Sequence, residues 1–368
     1  MRMFFSVAVI VYSLAMTLAI WHGLDLLKPF RVKYIVAVVV LLWGFSAIFG
    51  RFISSGLPLE FSAWLTRIGY VWMGLFAYIL LWSAVCLILR AFGIGPATNQ
   101  GRIVYFVSEI SLCLVVFLSG YITAYTPVIV RQSISSDKID NLKIVLIADN
   151  HLGYMNSAKS FGKIIQKIKE IEPDLLLIAG DFLENERNFA KIKDIGCPLR
   201  EINVTHGIWA VNGNHEYYSG ADEANKYVAS LGIKVLRDEA VEIGDILLIG
   251  QEDPALRRLG VDPMSLDFIY SPVSDLAKEK YTIVLKHQIS DHSIYENKNI
   301  DLVLSGHTHN GQLFPFNFIV AKINDIGYGF AKRGGAAFYV TSGAGVWGPP
   351  MRIGTKSEIV VFEEGIRN

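Results

Sequence analysis

Five of the eight histidines in this sequence fall in short polar loops that each follow an apolar run. The loops read ADNHLG (148–153), AGDFLEN (179–185), NGNHEYY (212–218), KH (286–287) and SGHTHNGQ (305–312). They hold Asp149, His151, Asp181, Asn214, His215, His287, His307 and His309. Each has an ordinary reading alone: Asp181 as a helix cap, Asn214 as a turn residue, His287 as a hydrogen-bonded core histidine. Together they form a mixed carboxylate, imidazole and amide set, which suits manganese, iron or zinc. A carboxylate shared by two ions roughly 3.5 to 4 Å apart would make a hydrolytic centre. The interleaved glycines let the backbone turn sharply and approach a ligand closely.

The elements that must position these loops are legible as apolar runs. Residues 143–148, 174–179, 207–211, 245–250, 282–285, 302–304, 338–341 and 358–362 read as strands, most of them buried. Residues 157–171 show helical spacing, with Phe161, Ile164, Ile165, Ile168 and Ile171 on one face, and 223–231 read as a second helix. Alternating strands and helices predict an α/β layered domain of about 230 residues. Ligands collect at the carboxyl ends of strands in such folds, and five strands here end in the loops quoted above. No internal repeat or low-complexity segment interrupts the chain.

The first third has another composition. Residues 1–130 contain eight Lys/Arg and three Asp/Glu, so 57 of the 68 charges lie beyond them. Four apolar runs, 3–21, 34–50, 68–89 and 103–123, approach the about 20 residues a helix needs to cross a bilayer. The first run is expected to be a retained helix rather than a cleaved signal peptide, because its core is long and three more runs follow. The expectation is an integral membrane protein with about four transmembrane helices in 1–130 and a soluble domain in 137–368. Glu109 falls inside the fourth run and is expected to face neighbouring helices. Trp21, Trp43, Trp72 and Trp82 are read as membrane packing or interfacial anchors. Positive charges divide equally. Lys28, Arg31, Lys33, Arg90 and Arg102 oppose Arg2, Arg51, Arg67, Arg131 and Lys138, which leaves the side of the soluble domain open. Cys86, Cys113 and Cys197 allow no disulfide framework. Beyond residue 130 the balance is 26 basic to 31 acidic residues without a basic tract, which argues against a nucleic-acid partner.

The motifs DNH, GD, GNHE, an isolated His and GHTHNGQ, in that order, resemble the calcineurin-like metallophosphoesterase superfamily over residues 140–365. GHTHNGQLFP and SGAGVWGPPMRIG are similar to a membrane-anchored bacterial branch, the YaeI-like phosphodiesterases and UDP-diacylglucosamine pyrophosphohydrolases. The resemblance implies two packed mixed β-sheets flanked by helices, a bacterial cytoplasmic-membrane location, and two divalent ions, manganese first, with iron or zinc as alternatives. It assigns Asp149, His151, Asp181 and His309 to one ion and Asp181, Asn214, His287 and His307 to the other. His215 would be the general acid or transition-state stabiliser. The implied activity is metal-dependent hydrolysis of phosphodiester or pyrophosphate bonds, with a lipid-linked or envelope phosphate ester as the partner substrate. A phosphoprotein phosphatase or nuclease is the alternative within the superfamily, and a non-catalytic membrane sensor the alternative outside it. The sequence departs from the common pattern at Asn150, at Glu184 and Glu216 where Asp is frequent, and after His287, where QIS lacks a proline. Arg352 and Arg257 are candidate substrate contacts, with a structural ion pair and a solvated charge pair as their respective alternatives. His206 and His292 match no motif and are read as surface or loop residues.

Overall fold

The computed structural model describes Tyr12, Ala15, Met16 and residues 30–50, 57–95, 98–134, 136–184, 194–289 and 291–364. The chain divides into two compact units: Met1–Tyr121 with Gly348–Met351, and Ile122–Trp347 with Arg352–Asn368.

Three helices are described in the first unit: α1 (Phe30–Ile48), α2 (Leu59–Ala91) and α3 (Asn99–Ala124), the last running into the second unit. Two stretches, Glu60–Ala91 and Ile103–Ala124, are long and apolar enough to cross a membrane. The apolar part of α1, Tyr34–Ile48, is shorter than a span requires. The expected first run, 3–21, lies outside the described residues apart from Tyr12, Ala15 and Met16. Among the described residues two of the four expected runs are candidate spans, and the first is not tested. Helices α1 and α2 pack closely at small residues. A side chain at Gly69 would come 2.2 Å from the Ala47 nitrogen. Trp43 Nε1 donates to the Ile68 carbonyl at 2.7 Å, so this tryptophan packs inside the unit. Glu109 is buried, as its expected inward orientation requires.

The second unit contains two six-stranded mixed sheets. The first has the order β1 (Val128–Ile134), β12 (Glu358–Glu364), β2 (Ile144–Ile147), β3 (Leu175–Ala179), β4 (Ile208–Val211), β5 (Ile233–Leu236). The second has β10 (Gly329–Arg333), β11 (Ala336–Val340), β9 (Leu302–Ser305), β8 (Tyr281–Lys286), β7 (Ile246–Gln251), β6 (Glu239–Ile243). Strands β2, β3 and β4 run parallel, as do β7, β8, β9 and β11, so their carboxyl ends gather at common rims. Every residue of β2, β3 and β4 is buried, which is why they read as continuous apolar runs rather than alternating ones. A core of Leu146, Leu177, Val211, Leu248, Leu285, Leu304 and their neighbours joins the two sheets.

Helix α4 (Ala158–Ile171) covers the first sheet. It starts where the Ser157 side chain accepts from the Ser160 amide, and it stops at Glu172, whose backbone is left-handed. Phe161, Ile164, Ile165, Ile168 and Ile171 are its buried face, as their spacing predicts, each contributing about 1.5–3 kcal/mol. Helices α5 (Asn214–Ser219) and α6 (Ala221–Ser230) follow β4. Four strands were not legible. Strand β1 alternates half-buried and exposed residues and begins before residue 137; β5 is only four residues long, and β6 and β10 are edge strands with polar exposed faces.

Candidate metal centre

The loops after β2, β3, β4, β8 and β9 meet at one rim. Five of the seven proposed ligands have left-handed backbone: Asp149 (φ 52°), His151 (φ 43°), Asp181 (φ 47°), His307 (φ 74°) and His309 (φ 48°). Such a conformation costs a non-glycine residue on the order of 1–3 kcal/mol and persists only where the surroundings impose it. Here backbone bonds between loops do so. Asp149 N donates to Gly180 O at 3.1 Å, His151 N to Asp181 O at 3.0 Å and Gly345 N to Asp149 O at 3.0 Å. Gly213 is required for a different reason, since a Cβ there would stand 2.1 Å from Asp181 Oδ1.

Three groups of ligand atoms result, and two of them hold only proposed ligands; the third is His151, Asp181 and His215. Asp149, His151 and His309 bring theirs within 4.8 Å of one another, and so do Asp181, His287 and His307. In the first group the two Nε2 atoms of His151 and His309 face each other at 3.1 Å. That spacing fits two bonds of about 2.1 Å to a common ion. Asp181 stands between the groups. Its Oδ2 lies 3.2 Å from His287 Nε2, 3.8 Å from His151 Nε2 and 4.0 Å from His215 Nε2. Its Oδ1 accepts from the His215 amide at 2.8 Å. Asn214, buried at the start of α5, accepts at Oδ1 from Gln288 Nε2 at 3.4 Å, and its two neighbours both abut the Asp181 carboxylate.

The donors suit a cation. His287 Nδ1 donates to the Ala179 carbonyl at 2.7 Å, which leaves the buried Nε2 facing Asp181 Oδ2 at 3.2 Å. Burial pushes His307 down to about 3, helped by the charge of His287, and holds His309 well below the ordinary histidine range, helped by His151 and Arg352. Both rings are therefore neutral and available as ligands. Burial opposes the Asp181 charge, but the positive field of His287 and its hydrogen bond, then His215 and His151, hold that carboxyl far below the usual range. Burial by itself would lower His215, yet the Glu184 charge and hydrogen bond outweigh it and raise the ring above the ordinary value. His215 is thus a ring that keeps its proton.

Several positioning residues were missed or noted only as departures. Glu184 lies 3.1 Å from His151 Nδ1 and 3.0 Å from His215 Nδ1, so one carboxylate orients both rings. Glu216 accepts from the amides of Asp181 (3.1 Å), Leu183 (2.9 Å) and Gly213 (2.7 Å), tying two loops together. The longer Glu side chain gives each the reach that its contacts need. Glu184→Ala is expected to weaken metal affinity about 10- to 100-fold, read as a shift in the manganese concentration for half-maximal activity with an unchanged circular dichroism spectrum.

Two expected substrate contacts are corrected. Arg352 is completely buried, and its guanidinium donates to the carbonyls of Ser342 (2.7 Å), Gly345 (2.7 Å) and Lys356 (3.2 Å), with Nη2 3.2 Å from His309 Nδ1. It braces the His309 loop instead of reaching a phosphate, because the convergent carbonyls consume its donors. Arg257 forms an exposed pair with Asp262 at 2.7 Å, and Arg258 is the one near the site, lying over Tyr218 at 4.0 Å. Tyr218 and Trp347 flank the His215 ring at 5.3 and 6.1 Å. His206 stays outside the cluster, while His292 is buried rather than superficial, 3.4 Å from Asp325.

Residues 142–311 match the family described as calcineurin-like phosphoesterase. An uncharacterized metallophosphoesterase of Campylobacter jejuni is 33% identical over 294 residues, covering 78% of this chain and 77% of that protein. The chain belongs to the metallophosphoesterase family. A Helicobacter pylori metallophosphoesterase is 37% identical over 236 residues, and the alignment takes in 63% of this chain and 62% of that relative's length. A Bos taurus relative described as a transmembrane protein with metallophosphoesterase domain is 30% identical over 235 residues, covering 60% of this chain and 52% of its own. All eight motif residues of this metallophosphoesterase lie in or beside the two ligand groups. The match to the family model spans the loops from Asp149 to His309.

Proposed function

We propose that this chain is a membrane-anchored, metal-dependent phosphoesterase that hydrolyses phosphodiester or pyrophosphate bonds, with a lipid-linked phosphate ester as its substrate. The observation that carries the reading is the Asp181 carboxylate, with Oδ2 facing ligand atoms of both groups at 3.2 and 3.8 Å. Asp149, His151, Asp181 and His309 would hold one ion; Asp181, Asn214, His287 and His307 would hold the other. Manganese is the first expectation, with iron or zinc as alternatives. When bound, two such ions supply neutralisation of the phosphoryl oxygens and activation of water.

The chain's own residues do the rest. His215, with Nδ1 fixed by Glu184, presents Nε2 to protonate the leaving oxygen. Burial of Asp149, His151, Asp181, Asn214, His287 and His309 strengthens charge interactions at the reacting phosphate, while His307 stands at the exposed mouth. The membrane part supports the lipid reading, because a tether raises the effective concentration of substrates in the same bilayer.

Dialysis against a chelator is expected to remove hydrolysis of bis-p-nitrophenyl phosphate and to lower metal content from two ions per chain. Manganese should restore both together. Metal loading without product release would identify a binder and overturn the enzyme reading. Equal turnover of long-chain and short-chain phospholipid analogues by the full chain would count against the lipid substrate.

A further inference from the structure

The loop carrying His307 and His309 continues into helix α7 (Phe316–Ile323), none of whose residues is buried. Its sequence FNFIVAKI is too apolar for a solvated helix. Phe318 is 64% exposed, Ile323 73% and Trp347 53%, with Phe314, Phe316 and Ile319 also exposed. These side chains are linked into one surface. Phe314 and Phe318 pack edge to face at 5.7 Å. Gln312 bonds the Trp347 backbone twice, at 2.9 Å each way. The helix is seated firmly on the ligand loop, since a side chain at Gly311 would stand 2.4 Å from the Asn317 nitrogen.

Both ends of this surface reach the metal centre. Trp347 lies 6.1 Å from the His215 ring, and Ile323 lines a cavity of about 260 Å³ together with His307, Thr308 and Asn324. The charges beside it are basic. Lys322 on the helix is exposed, Arg333 of β10 lines a cavity with Ala321 and Asn324, and the acid among them, Asp325, is matched by Arg333 at 3.6 Å and His292 at 3.4 Å.

We propose that α7 and its aromatic neighbours dock on the surface of an anionic bilayer. Aromatic side chains flanked by lysine and arginine are what an interfacial helix requires. A bilayer is favoured over a protein because, among the described residues, the same chain carries two helices long and apolar enough to span one. Docking would bring the mouth of the metal centre to lipid headgroups. The proposal rests on the membrane part of the reading above and not on hydrolysis.

The test uses the full chain reconstituted in phosphatidylcholine vesicles containing phosphatidylglycerol. The photoreactive residue p-benzoylphenylalanine replaces Phe318 in one protein and Gln166, on the polar face of α4, in another. Illumination is expected to give phospholipid adducts from position 318 and none from 166. Lys322→Gln should lower the adduct yield about fivefold. Equal yields at the two positions, no lipid adduct at 318, or an adduct to a second chain would overturn the proposal. Hydrolysis of bis-p-nitrophenyl phosphate, measured on the same samples, reports separately whether the enzyme reading holds.

Discussion

Asp181→Asn is expected to abolish hydrolysis, with kcat/KM falling by more than about 10³-fold, beyond the loss of a single charge-stabilising group. The replacement is isosteric, so the amide oxygen can still accept from the His215 backbone, as Oδ1 does at 2.8 Å. What it removes is the negative charge shared by the two ligand groups. Loss of a terminal ligand such as Asp149 would weaken one ion, but loss of this one loosens both. Metal content should fall below two ions per chain in the same preparation. The fold should persist, because Asp181 is one of the charges that raise the buried Asp149 carboxyl, and its neutralisation relieves that repulsion. A purified Asp181→Asn protein with full activity and two bound ions would refute the shared-carboxylate arrangement.

His215→Ala carries the second large effect, and it should depend on the leaving group. A general acid contributes about 10²- to 10⁴-fold where the departing oxygen needs a proton. Alkyl phosphodiesters should lose activity on that scale. Bis-p-nitrophenyl phosphate should lose much less, since p-nitrophenolate departs without one. His215 is not one of the seven proposed ligands, so both ions should remain bound, although it shares a third group with His151 and Asp181. Its ring does touch His151 edge to face at 4.6 Å, and metal analysis of the variant therefore belongs to the experiment. An equal loss on both substrates, or loss of an ion, would show that His215 holds the site together instead of donating a proton.

The ligands were legible because their chemistry is local. Each closes a short, fully buried strand, and a run such as LLLIA followed by GD is visible in one dimension. The residues that orient them were not. Glu184 touches His151 and His215 across 33 and 31 positions, and nothing in FLEN distinguishes it from a solvated acid. Arg352 reads equally as a phosphate contact or a structural ion pair, because a buried guanidinium satisfied by main-chain carbonyls has no composition signature. The same limit applies to the edge strands β6 and β10, whose pairing partners decide their conformation more than their own residues do. The apolar helices were read directly from composition, and among the described residues the apolar part of α1, Tyr34–Ile48, ends two residues before the run 34–50 does.

The last strand of the chain is not at the border of its sheet. β12 is inserted between β1 and β2, and the Arg352 clamp precedes it by only a few residues. A polypeptide ending before Glu358 would therefore carry all seven proposed ligands while the first sheet still had a gap beside β2, and it is expected to lack an ordered centre.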